Sequence, residues 1–294
     1  MAGPATGTPT TDDETNSAPL LNLGGRDYDL THRALVMGIL NRTPDSFYDK
    51  GATFELDKLY GRAEQLVADG ADILDIGGVK AGPGPEVTEA EELGRVVPVV
   101  AGLVARFDTP VSVDTWRASV ACASYAEGAV MGNDISGLAD PDYVPAAAEH
   151  GAAVVITHIR LAPRVADPDP HYEDVVADVA RFLTERADGA RAAGLPPERI
   201  VLDAGLDLGK TSEQSLTLLR ASAELAGLGY PLLLSASNKT FLGKILDLEL
   251  TERREASIGA AALGIAWGCR IVRVHDVKGT CRARDVLAAV SEAR

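Results

Sequence analysis

A short apolar run that ends in a polar residue, followed by a helical pattern, recurs eight times between residues 35 and 292 of this 294-residue chain. The apolar runs cover 35–41, 72–78, 111–115, 130–136, 152–159, 200–205, 231–237 and 271–276. Each is too short for a free-standing helix and is bounded by turn residues, so each is read as a strand. The intervening helical patterns cover 56–68, 89–105, a stretch ending at 127, 144–149, 172–193, 213–226 and 252–266, and a last helix ends near 292. Gly70, Gly128, Gly151 and Gly194 stand where helices should stop in a left-handed residue. Eight strand–helix units over roughly 250 residues is the size of a closed (β/α)8 TIM barrel, a single α/β domain. An open doubly wound sheet is the alternative, but it does not need eight regular units.

Composition agrees with that scheme. Hydrophobic residues make up 46% and aromatics only 5%, as expected when both faces of parallel strands are covered. A net charge of −15 argues against a nucleic-acid backbone or an anionic membrane as partner. Cys122, Cys269 and Cys281 show neither zinc spacing nor a redox pair, which suits a reducing, cytoplasmic setting. Residues 1–20 are rich in Pro, Thr, Ala and Gly and have neither a basic start nor an apolar core. They read as a disordered tail, not a signal peptide, and leave 21–294 as the folded domain. Within it, residues 21–30 form two short alternating runs around Gly24-Gly25, a hairpin placed to cover the bottom of the barrel.

The residues that end the strands carry the chemistry. They are Asn41, Asp75, Asp114, Asn133 with Asp134, His158, Asp203, Ser237 with Lys239, and Arg273 with His275. A barrel keeps its site on the rim where its strands end. Helix capping explains a single such residue, and that reading stays open for Asp114, Ser136 and Ser212; it does not explain the whole set. Carboxylates with an amide complement the edge of an amino-pyrimidinone ring. Arg273, His275 and Asn41 become neighbours when the last strand closes on the first, and could hold a phosphate or pyrophosphate. Asn41 could share Mg²⁺ with that group, since this ion favours few protein ligands plus phosphate oxygens. Residues 205–211 end in Gly-Lys-Thr but lack the spacing of a phosphate loop.

The strings MGILNRTPDSF, SVDT, NDISG and RVHDV, the Asp-x-Gly at 203–205 and the Ser-x-Lys at 237–239 resemble dihydropteroate synthases. The resemblance runs in order through nearly all of the chain after residue 30. It implies a barrel that joins 6-hydroxymethyl-dihydropterin pyrophosphate to p-aminobenzoate and releases pyrophosphate. By position, Asp114, Asn133, Asp203 and Lys239 would hold the pterin, while Asn41, Arg273 and His275 would hold the pyrophosphate with its magnesium.

The departures cluster on the second-substrate side. The family's Gly-Gly-Glu-Ser-Thr-Arg-Pro-Gly is here Gly77-Gly78-Val79-Lys80-Ala81-Gly82-Pro83-Gly84. Ala81 and Gly82 cannot donate a side-chain hydrogen bond, and glycine raises the entropic cost of a closed loop. Arg42 replaces a small apolar residue, with Tyr48 and Lys50 beyond it; Leu208 replaces a phenylalanine beside a new carboxylate at Asp207; Ser237-Asn238-Lys239 replaces Ser-Arg-Lys; and Thr157 replaces a methionine. A carboxylate at Asp207 would repel that of p-aminobenzoate. The expectation is a divergent paralogue with the pterin and pyrophosphate pocket retained and synthase activity weak or absent. The alternatives are an active synthase and a non-catalytic or methyltransferase-like folate-binding barrel. Apolar residues around much of 258–267 and 286–290 point to a homodimer.

Overall fold

The structure, a computed structural model, describes residues 20–41 and 52–293 and, in the first helix, side chains from Leu56 onward. Residues 1–19 of the expected tail, Arg42, Tyr48 and Lys50 therefore lie outside the described residues, while Leu20, expected in the tail, begins the first strand. Two short strands, β1 (Leu20–Leu23) and β2 (Arg26–Asp29), come first. The barrel strands are β3 (Leu35–Asn41), β4 (Ile73–Gly77), β5 (Val111–Asp114), β6 (Met131–Asp134), β7 (Ala153–Thr157), β8 (Ile200–Asp203), β9 (Leu232–Leu234) and β10 (Cys269–Val274). All eight are parallel to their neighbours and close in sequence order, with β10 pairing β3. The helices are α1 (Ala52–Ala68), α2 (Glu89–Val104), α3 (Ala118–Ala126), α4 (Tyr143–His150), α5 (Val175–Ala192), α6 (Ser212–Arg220), α7 (Ser222–Ala226), α8 (Thr240–Leu246), α9 (Arg254–Ala266) and α10 (Val277–Glu292). This is the expected TIM barrel. Among the described residues, no helix is long and apolar enough to cross a membrane.

Apolar side chains separate into two layers because strand residues alternate between faces. Val36, Leu74, Val113, Val154 and Leu202 pack outward against the helices. Leu35, Met37, Ile73, Met131, Val155, Val201 and Ile271 point inward. Leu21, Leu23 and Leu30, all nearly or fully buried, join that inner layer. The hairpin thus seals the end of the barrel where the strands begin, and each leucine contributes about 1.5–3 kcal/mol by leaving water. The opposite end carries the polar strand termini.

Gly70, Gly128, Gly151 and Gly194 all take positive φ, at 100°, 99°, 66° and 97°, as their helix-stop positions require. The helix expected over 213–226 is instead divided into α6 and α7. Ser222 Oγ donates to Leu219 O at 2.7 Å, a local bond that competes with the helical ladder. Thr211, with Gln214 in a reciprocal capping box, caps α6, so Ser212 is its first helical residue and not its cap. Helix α8 had no counterpart in the sequence reading. No side chain local to it caps its start, so the usual entry signal is missing.

Candidate functional site

Strand alternation fixes which polar residues face the open barrel mouth. Asp75 lies two residues after Ile73, Asn133 two after Met131, Asp203 two after Val201 and Arg273 two after Ile271, so each shares the inward face of a core residue. Register aligns Gly77, Asp114 and Asn133 across β4, β5 and β6. Asp134, one residue further on, points the other way. Its carboxylate accepts from the Ser136 and Leu138 amides and from Ser136 Oγ, so it builds a turn and has no place in the mouth.

Arg273 is the hub of the inward group. Its Nε donates to Asp75 Oδ2 at 2.6 Å and its Nη2 to Asp114 Oδ2 at 2.6 Å. Asn133 Nδ2 donates to the same Asp75 oxygen at 3.3 Å. Burial pushes the Asp114 carboxyl up to about 7 even though Arg273 pulls the other way. Asp75 Oδ1 is buried and has no hydrogen-bond partner among the described residues, and the same holds for Thr157 Oγ1 on β7. An orphaned carboxylate oxygen costs about 1–3 kcal/mol, which a donor on a bound ring would recover. Asp75 stands near the end of its strand without a motif that assigns it to the pocket; its spacing from Ile73 is the signal in the sequence that places it on the inward face.

Asp203 and Lys239 form the opposite wall. Asp203 Oδ1 accepts from the Gly205 amide at 2.7 Å, and Lys239 Nζ donates to Leu206 O at 3.0 Å. Burial raises the Asp203 pKa and lowers that of Lys239, while their mutual attraction opposes both shifts. Four of the expected pterin residues, Asp114, Asn133, Asp203 and Lys239, are therefore brought to one mouth.

The anion group is looser. Asn41 is exposed at the end of β3, in register with Gly77. His275 Nδ1 lies 2.9 Å from Ser237 Oγ, which also accepts from the His275 amide at 3.2 Å. Burial, reinforced by Arg273, pushes His275 down to about 4, so it offers a hydrogen bond and not a charge near neutral pH. Ser237, expected on the second-ligand side, is thus hydrogen-bonded to His275 of the expected anion group. Asn238, expected on the same side, adopts φ 59°, and its backbone amide donates to Ser257 Oγ at 3.0 Å. Among the described residues, no three His, Cys, Asp or Glu side chains gather as a metal cage.

The loop at 78–88 differs most from expectation. Ala81 and Gly82 do lack side-chain donors, yet arginines from outside the loop hold its backbone. Arg95 Nη1 donates to Gly78 O at 3.1 Å and Arg117 Nη2 to Val87 O at 2.7 Å. Arg164 Nη1 donates to Lys80 O at 3.3 Å, its Nη2 to Pro85 O, and its amide to Ala81 O at 3.0 Å. The entropic cost assigned to Gly82 is thus offset by bonds that need no side chain from the loop. Arg164, which reaches across from the 158–174 connection, was not foreseen, because a lone arginine in a long loop carries no motif.

Ala81, Gly82, Asp207 and Leu208 meet around a cavity of about 240 Å³. Asp207 does not face it as a free charge. Residue 207 adopts φ 66°, and its carboxylate accepts from the amides of Thr240 and Phe241. It is therefore the missing cap of α8. Lys210 is buried beside the same cavity; its Nζ lies 2.9 Å from His158 Nδ1 and donates to Gly205 O at 2.9 Å and Leu208 O at 3.0 Å. His158 is thus a partner of Lys210, held neutral by burial with its pKa near 3.

The pattern of the family described as pterin binding enzyme matches residues 37–275. The chain is 42% identical over 275 residues to a dihydropteroate synthase of Synechocystis, spanning 92% of this chain and 95% of that one. It is 44% identical over 268 residues to the inactive dihydropteroate synthase 2 of Mycobacterium tuberculosis, spanning 89% and 84%. The Yersinia pestis dihydropteroate synthase in its sulfonamide drug complex superposes with a TM-score of 0.87 at 38% identity, covering 93% of this chain and all of that one. The Xanthomonas albilineans dihydropteroate synthase with 4-aminobenzoic acid superposes with a TM-score of 0.87 at 38% identity, over 94% and 100%. The inward carboxylates, amide and lysine thus sit in a barrel whose sequence and shape match these proteins over about nine-tenths of the chain, and the chain belongs to the dihydropteroate synthase family.

Proposed function

We propose that this chain is a divergent member of its family that binds a pterin and its pyrophosphate but condenses them with p-aminobenzoate weakly or not at all. The observation that carries the reading is the unpartnered Asp75 Oδ1 inside a mouth otherwise filled by Asp114, Asn133, Asp203, Lys239 and Arg273. A pterin edge supplies the donors that this oxygen needs, and Asn133 and Asp203 complement the rest of the ring. At the rim, Asn41 would contribute one oxygen to Mg²⁺ shared with the pyrophosphate, and Mg²⁺ would supply charge neutralisation on the leaving group. Arg273 has Nη1 uncommitted among the described residues and would reach the same anion, with His275 donating from its neutral ring.

Weak condensation is the expected result of what surrounds the mouth. Synthesis needs a second substrate held beside the methylene carbon with water excluded. Residues 81 and 82 offer no side-chain donor, and the first amides of α8 are spent on Asp207. Loss of one such donor typically costs about 10²–10³ in rate. The mycobacterial relatives named inactive support this reading. The two-chain assembly expected from the sequence also belongs here: Leu263, Val286 and Val290 are 46%, 64% and 68% exposed on α9 and α10, an apolar surface suited to a second copy.

One experiment tests the core of it. Calorimetric titration with 6-hydroxymethylpterin pyrophosphate and Mg²⁺ should show binding, while pyrophosphate release should rise little when p-aminobenzoate is added. Efficient dihydropteroate formation would refute the reading.

A further inference from the structure

Thr157 is only 1% exposed, and its hydroxyl has no hydrogen-bond partner among the described residues. The residue lies two positions after Val155 of the inner layer, with Ile156 between them packed toward the helices, so its side chain turns inward. Register sets Thr157 beside Asp203 on β8, and sets Val155, one inward step below it, beside Asn133 on β6. The hydroxyl therefore belongs to the wall of the mouth between the Asn133 amide and the Asp203 carboxylate.

Nothing local relieves it. A threonine in a helix can turn its hydroxyl onto the carbonyl one turn back, an option that an extended strand does not offer. The backbone beside it is committed, since the His158 amide donates to Asp203 O at 2.9 Å. The methyl branch is packed: Thr157 Cγ2 lies 3.2 Å from where a Cβ on residue 205 would stand, next to the Gly205 amide that Asp203 holds. The hydroxyl is thus the one branch of this side chain left unsatisfied. A polar atom buried in that way lowers stability unless something enters to meet it. Asp75 Oδ1 stands in the same condition three strands away on β4, so unsatisfied groups face the mouth from two sides.

We infer that Thr157 is a further binding residue of this mouth, its hydroxyl hydrogen-bonding the nitrogen-bearing edge of a planar heterocycle flanked by Asn133 and Asp203. The inference deepens the preceding reading and rests on it for the identity of the ring. A hydroxyl both donates and accepts and rotates to suit its partner, so it serves an amino group or a ring nitrogen equally. The methionine that Thr157 replaces has only a thioether, a weak acceptor. This chain has therefore moved part of its hold on the ring from packing to hydrogen bonding.

The test separates the hydroxyl from the shape of the side chain by comparing Thr157→Val with Thr157→Ser in the full chain. Calorimetric titration with 6-hydroxymethylpterin should show binding weakened about tenfold in Thr157→Val, the size of one lost hydrogen bond, and kept within about threefold in Thr157→Ser. Urea unfolding without ligand should move the other way. Thr157→Val should hold or raise the midpoint, because it deletes an unsatisfied atom and keeps the shape. A purely structural threonine would lose stability on that change and leave the Val and Ser variants alike in affinity. Unchanged pterin affinity in Thr157→Val, or a lower midpoint for its ligand-free form, would overturn the inference and leave the proposed function standing. Absence of pterin binding by the unmodified chain would overturn both.

Discussion

Replacing Arg273 with methionine isolates what holds the barrel mouth together. The Arg273 side chain is 15% exposed, that of Asp75 is 0% and that of Asp114 is 16%, and the guanidinium bridges both carboxylates at 2.6 Å. Methionine keeps the length and removes both bonds, leaving two carboxylates facing each other out of water. Removing one partner of a buried pair costs about 3–5 kcal/mol. Proton uptake limits the loss: Asp114 already titrates near 7, and without the cation its pKa rises further. The destabilisation should therefore be smaller at about pH 6, where Asp114 can hold its proton, than at about pH 8.5, where that proton is more readily lost. Urea unfolding at the two pH values reads this directly through the midpoint at constant slope. The triple variant Arg273→Met with Asp75→Asn and Asp114→Asn should recover most of the stability, since no unpaired charge then remains. A loss below about 1 kcal/mol at the higher pH, the value of an exposed ion pair, would refute the argument that these charges are held in a low-dielectric cluster.

Asp203→Asn and Lys239→Ala should each weaken pterin binding by about 1–3 kcal/mol, measured by calorimetry, with unfolding midpoints checked in parallel. Arg164→Ala should speed amide exchange across 80–87 by about tenfold to a hundredfold, since two charge-assisted bonds at a half-buried side chain are worth about 1–3 kcal/mol locally; unchanged exchange would remove Arg164 as the strap. Because burial raises the Asp114 pKa from 3.8 to about 7, its contribution to stability is fully present below the unfolded value and is lost as pH rises through about 7. Unfolding midpoints followed across that range should decline for the unmodified protein and lose most of that slope in Asp114→Asn.

The barrel was legible in the sequence because its signal is repeated and local. Eight apolar runs at regular spacing require no knowledge of distant contacts, and strand alternation then assigns Asn133 and Asp203 to the mouth. Long-range partnerships were not legible. Asp207 reads as a stray carboxylate in a Gly-rich loop, and only the fold brings it to α8, 33 residues on. That one contact explains two misreadings, the missed helix and the supposed free charge. Ser237 follows β9 and His275 follows β10, and the pairing of those two strands brings them together across 38 residues. Arg164 lies 84 residues from the carbonyl of Lys80, and neither residue has a pattern that names the other.

The three arginines that grip the 78–88 loop all bind carbonyl oxygens, which every amino acid supplies. The path of the loop is therefore written in Arg95, Arg117 and Arg164 and only weakly in the residues that travel along it. Such a segment is free to change its side chains at 80–82 while its course stays put, so mutation can sample new surface chemistry next to the mouth without risking the fold. That freedom gives a physical route by which one barrel diversifies its choice of ligand, and it marks 80–82 as the positions to randomise first when a different specificity is wanted.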